Sequence, residues 1–404
     1  MINIVEASLD NTGLTDTTSL FQAMVMHLPN GAKFKMPKGL YRIDGNVKLN
    51  NNITIEGDGE VRFRGKGTNV LFTVNYMITF KGIQFENCSQ AITLNGHSIF
   101  KVDRCKFLNN IVFAAINLYN ASKVTIVNSS FNNILKHSIL IDGDSTDILI
   151  DKNTFDNPDV FGGYATEQIS GHVYCLNASK VTVSNNTVRN NGGQGIIFGY
   201  NGTTGKGTTD SIAINNICEG NGQEGITSYG GVTKVTHDNY IIGNTCRNNR
   251  FHQIEIWESD NNIVKSNTVE ESKVGTGNIG AITLYNTLAT VCKSNNILSA
   301  RNNGIAIIAG TSKCDIKDNT ICETNRQNNT NDASRGNGIL LDWNGVADPE
   351  YQTISRNLIS SIDTINKSGI YSTSNTNHHN AFDDNLILGY VTSIHEYALA
   401  TASI

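Results

Sequence analysis

One phrase recurs through this chain at intervals of 22 to 38 residues, and a repeat on that scale limits the fold more than any local motif does. The phrase alternates apolar and polar residues and most often closes on Asn-x-apolar. Copies are KVTIVNSSF (123–131), DILIDKNTF (147–155), KVTVSNNTV (180–188), NIVKSNTV (262–269) and KCDIKDNTI (313–321). The closing residue falls at Phe85, Phe107, Phe131, Phe155, Val188, Cys218, Cys246, Val269, Leu298, Ile321, Ile359 and Ile387. Asn stands two residues earlier in nine of these twelve copies: Asn153, Asn186, Asn216, Asn244, Asn267, Asn296, Asn319, Asn357 and Asn385. A second phrase, G-I-x-I/L, follows, as in GIIF (195–198), GITS (225–228), QIEI (253–256), AITL (281–284), GIAI (304–307) and GILL (338–341).

Each unit therefore holds two or three short strands with period-two alternation, separated by turn residues. A minimum of 22 residues suits one coil of a parallel β-helix whose coils stack about 4.8 Å apart. The chain holds 55 Asn, and the repeat gives them a purpose: stacked Asn side chains at equivalent turns bond to each other and to turn backbone. Cys218 and Cys246 take the same inward position on successive coils. A leucine-rich repeat is excluded because its LxxLxL signature and helical segments are missing.

Composition narrows the function. A formal net charge of -5, with 17% charged residues of both signs, argues against a nucleic-acid partner or an anionic membrane surface. No apolar run reaches the ~18 residues that span a bilayer. The start, MINIVEASLDNTG, has neither a basic nor an apolar region of a secretory signal. The 8 cysteines form no CxxC pair and attract no His cluster, so zinc and a disulfide framework are not expected. They read as buried reduced thiols. No metal site is expected from these spacings.

Residues 14–28 (LTDTTSLFQAMVMHL) read as an amphipathic helix. Asp16 or Thr17 would cap it, and Leu20, Phe21, Met24, Val25 and Leu28 would form its apolar face. KFKMPKGLYRI (33–43) reads as strand, turn, strand. A helix laid across the end of a β-helix covers its open edge, so residues 1–50 are expected to form a cap and 51–404 the β-helix.

The stretches TDTTSLFQAMV, FKMPKGLYRI and NNITIEGDG resemble the start of the pectate-lyase superfamily of right-handed β-helices, which includes polygalacturonase-like hydrolases and bacteriophage tailspike depolymerases. The repeats from about 75 to 390 are similar to carbohydrate-binding and sugar-hydrolase repeats of mannuronan epimerases. The resemblance implies an all-β, single-stranded right-handed parallel β-helix of about 12 coils with an N-terminal capping helix. It also implies a polysaccharide substrate lying along the G-I-x-I sheet, no organic cofactor, calcium only if the reaction is elimination, and a homotrimer. A tailspike-like protein would sit on a virion tail. The missing signal otherwise leaves the cytoplasm or a non-classical export route.

Long insertions at 157–171, 199–208, 270–278, 322–337 and 343–351 all flank the G-I-x-I strand and would wall a groove there. The two x positions of that strand are expected to face solvent. The first x runs through Leu140, Tyr174, Ile197, Thr227, Glu255, Thr283, Ala306 and Leu340; the second includes Tyr229, Trp257, Tyr285, Ile308 and Asp342. Tyr229, Trp257 and Tyr285 fall on consecutive coils, an aromatic ladder about 10 Å long that suits pyranose rings. RNNRFHQIEIWESD (247–260) is the densest charge cluster in a charge-poor chain. Glu255 and His252 lie in it, and Glu224 is the equivalent of His252 one coil earlier, about 5 Å away. Glu255, His252, Glu224 and Arg250 are the candidate catalytic residues, as general acid, base and charge-neutralising groups. Tyr229, Trp257, Tyr285, Glu258, Asp342 and Trp343 are the candidate substrate contacts.

RNNRFHQIEI resembles the N-R-x-H-G-I phrase of epimerase-type repeats, which favours Arg250 and His252. The polygalacturonase set NTD, DD, GHG and RIK and the epimerase DPHD sequence are absent. Three functions fit: a depolymerase working by hydrolysis or elimination, a uronan C5-epimerase, and a non-catalytic glycan-binding β-helix.

Overall fold

The structure is a computed structural model, and it describes residues 9–96, 99–158, 170–271, 279–327, 332–343, 347–373 and 379–394. The chain forms two compact units, Met1–Gly192 and Gly193–Ile404. Both are parallel β-solenoids, and the chain makes about 14 turns with one helix among the described residues.

In the first unit the long strands Ala32–Arg42, Ile53–Arg64, Ile78–Asn95 and Lys106–Tyr119 pair in parallel. Alternation turns every second side chain inward, so one register position becomes a column through the core. Tyr41, Phe63, Phe85, Phe107, Phe131 and Phe155 are such a column. The rings of Phe85, Phe107, Phe131 and Phe155 stack face to face at centroid distances of 5.0, 4.6 and 4.7 Å. The coil number corrects the expected 12, and this column gives the reason. The sequence phrase begins at Phe85, but Tyr41 and Phe63 already hold the same position in two earlier, more divergent coils.

The helix spans Thr18–Met26, shorter than the expected 14–28, because Thr12–Asp16 pairs as a strand with Leu40–Arg42. Asp16 Oδ1 accepts the Thr18 N–H at 3.0 Å, while Thr17 makes no side-chain cap bond. Phe21, Val25 and Leu28 are buried, but Leu20 is 47% exposed and Met24 only half-buried, so the apolar face is narrower than expected. Phe21 packs on Phe34, Phe63 and Phe72 with ring centroids 6.1, 5.5 and 5.9 Å away.

In the second unit the turns are held by one Asn per coil: Asn216, Asn244, Asn267, Asn295, Asn319, Asn357 and Asn385. Each Oδ1 accepts both the backbone N–H and the side-chain Nδ2–H of the preceding Asn at 2.9–3.1 Å. Each Nδ2 from Asn244 onward also donates to a carbonyl of the coil before, such as Ala213, Ile241 or Val264. From Asn216 to Asn357 the side chains are buried, and their hydrogen bonds meet the condition for placing amides in a core. Cys218 and Cys246 are in register and buried, as expected.

One rung departs from the sequence reading. The ladder uses Asn295, and Asn296 is exposed. Ile297 is the inward residue, paired with Val269 and Ile321, while Leu298 is 42% exposed. A register shift after Val269, which brings Glu270 opposite Ser299, accommodates the extra residue. The phrase SNNILS offers two adjacent Asn, and spacing alone selected the wrong one.

This register predicts opposite outcomes for neighbouring substitutions. Asn295→Ala removes the acceptor of the Asn267 N–H and of one Nδ2–H, and the donor to the Val264 carbonyl, at about 1–3 kcal/mol for each orphaned group. Asn296→Ala stays within about 0.5 kcal/mol of wild type. Urea unfolding midpoints of the two variants distinguish them, and a mild Asn295→Ala with a severe Asn296→Ala would contradict the register.

Candidate active site

The strands Ile226–Tyr229, Ile254–Trp257, Gly280–Tyr285, Asn303–Ile308 and Ile339–Asp342 stack in parallel in the second unit. Their register places Thr227, Glu255, Thr283, Ala306 and Leu340 in one outward row, and Tyr229, Trp257, Tyr285, Ile308 and Asp342 in the next. Both rows are those read from the phrase.

Their exposure is not. In the first row Thr227 is 1%, Glu255 8%, and Thr283, Ala306 and Leu340 0% exposed; Leu140, Tyr174 and Ile197 at the same phrase position are also buried. Ile308 in the second row is buried too. Part of the outward face is thus a second apolar layer: Ala306, Ile308, Ala309 and Leu340 cluster with Ile279, Tyr285 and Tyr371 packed against them. Alternation tells which face of the sheet a side chain leaves by, not what covers that face.

The candidate carboxylates lie in this covered row. His252 Nε2 is 3.5 Å from Glu255 Oε1, and both side chains are about nine-tenths buried. The Gly280 carbonyl and Thr283 Oγ1 each lie 2.9 Å from His252 Nδ1. A carbonyl only accepts, so Nδ1 carries the proton and Nε2 turns toward Glu255. Thr227 Oγ1 donates to Glu255 Oε2 at 2.8 Å. Glu224 sits on the equivalent position to His252 one coil earlier, and the Gly225 N–H donates to the His252 carbonyl at 3.2 Å. Glu224 interacts electrostatically with both His252 and Glu255.

Burial raises the Glu255 carboxyl to about 7, against the Thr227 hydrogen bond that lowers it. Burial raises Glu224 to about 8, and the neighbouring Glu255 charge adds to the rise; His252 opposes it. Two carboxyls that hold protons near neutrality, one beside an imidazole, are equipped to donate and accept protons.

The aromatic row adjoins them. Trp257 and Tyr285 stack face to face, centroids 3.7 Å apart and planes at 7°. Tyr229 instead turns edge-on to Tyr200, 5.3 Å away, on the hairpin Tyr200–Asn201/Lys206–Gly207 within the 199–208 insertion. The three rings therefore do not form one flat platform: Trp257 and Tyr285 cover each other's inner faces. Gly230 permits the close turn beneath them, since a Cβ there would lie 1.9 Å from the Glu258 carbonyl oxygen.

Other expected residues are placed apart. Arg250 is exposed, its guanidinium 5.8 Å from the Phe251 ring. Glu258 follows Trp257 at a left-handed turn, φ 50°. Asp342 lies three coils along the same row from Trp257 and accepts a bond from Thr373 Oγ1 at 2.7 Å; Trp343 beside it is 51% exposed. Most of the 157–171 and 270–278 insertions, and parts of 322–337 and 343–351, lie outside the described residues. Among the described residues no three His, Cys, Asp or Glu side chains converge as metal ligands.

A family profile described as "Right handed beta helix region" matches residues 34–169, 90–269 and 171–345, so the chain belongs to the right-handed β-helix family. No curated protein sequence matches it. Among solved structures it is similar to a tailspike protein of E. coli bacteriophage HK620 in complex with a pentasaccharide, at 14% identity and TM-score 0.66, covering 93% of this chain and 75% of that one. It is similar to the A-module of Azotobacter vinelandii mannuronan C-5 epimerase AlgE4, at 16% identity and TM-score 0.54, covering 98% of each chain. It is also similar to the pre-mature gene product 12 of bacteriophage phi29, at 11% identity and TM-score 0.68, covering 97% of this chain and 56% of that one. At these identities the likeness is one of fold.

The raised carboxyls tie stability to pH. Both bind protons more tightly folded than unfolded. Their contribution is therefore complete below about 4.5, the ordinary value, and is lost as pH rises through about 7 for Glu255 and about 8 for Glu224. Relative to the Glu224→Gln/Glu255→Gln variant, wild type should lose on the order of a few kcal/mol between pH 4.5 and 8. Urea midpoints across that range measure it; parallel pH dependences in the two proteins would refute the shifts.

Proposed function

We propose that this protein is a polysaccharide-degrading enzyme that binds an extended glycan along the Tyr229–Trp257–Tyr285 row and hydrolyses it with the Glu224–His252–Glu255 group. One observation carries the reading: two buried carboxyls with raised proton affinity and an oriented imidazole lie on consecutive coils, one residue row from a half-exposed aromatic stack. A protonated carboxyl donates to the departing glycosidic oxygen, and a second carboxyl or the imidazole takes the proton of attacking water. The Trp257 and Tyr285 edges and outer faces give the sugar an apolar contact.

Elimination and epimerisation are less well supported. Both need a cation to neutralise a uronate carboxylate. The guanidinium of Arg301 is committed to Glu271, and that of Arg250 lies over Phe251. A tailspike-like role as a homotrimer belongs to the same proposal, supported by the tailspike named among the similar structures. Its expected mass in solution is three times 43.9 kDa by light scattering.

The test is incubation with capsular and uronan polysaccharides, reading new reducing ends and the absorbance of unsaturated products. Expected are reducing ends without unsaturated products, and no loss on EDTA treatment. Glu255→Gln or Glu224→Gln should lower kcat about 100-fold or more, and Trp257→Ala should raise KM about tenfold. Unsaturated, calcium-dependent products would replace hydrolysis by elimination. Binding without cleavage would leave a glycan-binding β-helix.

A further inference from the structure

Below the candidate site lies a buried ion pair that the proposed chemistry does not use. Arg301 is 2% exposed and is the largest fully buried side chain; Glu271, its partner at 3.0 Å, is 1% exposed. Placing two charges in a core is costly, and an apolar pair of similar volume is often as stable. Three contacts of this pair reach one short segment. Arg301 Nη2 donates to the Asn249 and Phe251 carbonyls, each at 2.7 Å. Glu271 Oε1 accepts from Gln253 Nε2 at 2.9 Å, and Oε2 accepts the Arg301 backbone N–H at 2.8 Å. Gln253 closes the segment on itself, its Oε1 accepting the Asn249 N–H at 3.0 Å and Nδ2–H at 2.7 Å. His252 thus has a clamped residue on each side: Phe251, through its carbonyl, and Gln253, through its amide.

We infer that Arg301 and Glu271 are positioning residues that fix the Asn249–Gln253 turn so that His252 Nε2 meets Glu255. The inference rests on the reading that His252 and Glu255 carry the chemistry. A general base works only at hydrogen-bond reach, and a displacement of about 1 Å at such a group costs up to about 100-fold in rate. An arginine suits the task because its planar fork bonds several acceptors at fixed angles, which an ammonium cannot do. The pair reaches His252 through the backbone and side chain of this turn.

The test uses the full chain and two readouts. NMR follows the His252 Nδ1–H proton, assigned by its disappearance in His252→Ala; in wild type the Gly280 carbonyl shields it from exchange. In Arg301→Met/Glu271→Met, which leaves neither charge bare, this proton should exchange at least about tenfold faster while the protein still melts cooperatively. Arg301→Lys keeps the charge and should give an intermediate rate; it carries the test if the double variant fails to fold. On a polysaccharide that wild type cleaves, kcat should fall about 10–100-fold with KM within about twofold, because the lost interaction orients the base rather than the sugar. Wild-type exchange and wild-type kcat in a folded Arg301 variant overturn the positioning role. If the exchange quickens but Glu255→Gln retains full kcat, the clamp stands and the catalytic assignment of Glu255 falls.

Discussion

The rest of the second unit depends on the bond from one asparagine amide to the next. A parallel strand pair fixes register only through its ladder and its packed side chains, and the strands here are as short as three residues. Such strands slip easily unless something else marks the phase. The column from Asn216 to Asn385 supplies that mark, because each Oδ1 must meet two donors of the coil before. A shift by one residue would remove three hydrogen bonds at a rung and bury the unpaired amide. The neighbouring ladder Asn221–Asn249–Gln253 follows the same rule and ends in the turn that carries His252.

With phase fixed, chemistry follows from the coil repeat. Residues 28 apart become neighbours, so Thr227 meets Glu255 and Tyr229 lies beside Trp257. Stacking like groups is favourable for aromatics and amides and unfavourable for charges. Two acids on successive coils therefore have to lose charge, and burial drives the same change. The offset between Glu224 and Glu255, three positions along adjacent coils, lets His252 lie next to Glu255 while Glu224 feels both. The repeat places this group of residues, and it departs from the repeat by carrying charges where other coils carry Thr or Ala.

Inward and lateral positions were legible in the sequence; coverage was not. The phrase gave the rows Thr227–Glu255–Thr283 and Tyr229–Trp257–Tyr285 correctly, since alternation has a period of two in any strand. It misplaced one rung, where SNNILS holds two Asn and the irregular register after Ile297 leaves Leu298 as an extra residue that throws the count off by one. It also treated Glu255 as solvent-facing. Its side-chain partners include His252 of its own turn and Thr227 of the coil before, and the second is a contact 28 residues away that no local pattern encodes. Arg301 and Glu271 left no signal at all: each stands in a turn among other polar residues, where a charge reads as solvated. Tyr200 was equally hidden, inside an insertion whose length was evident but whose hairpin was not.

The aromatic row shows why such a distinction bears on binding. A column of rings one coil apart has two choices. At about 4.8 Å spacing the rings can stack on each other, as Phe107 and Phe131 do in the core and Trp257 and Tyr285 do outside. Stacked rings satisfy one another and leave only edges and the two end faces for a sugar. Alternatively a ring packs edge-on against a residue outside the column, as Tyr229 does against Tyr200. Trp257 is stacked on one side by Tyr285, is half-exposed, and lies in register beside Tyr229 on the coil before. Trp257 lies on the coil of Glu255 and His252, so the half-exposed aromatic stack and the buried carboxyl–imidazole pair meet on one turn of the solenoid.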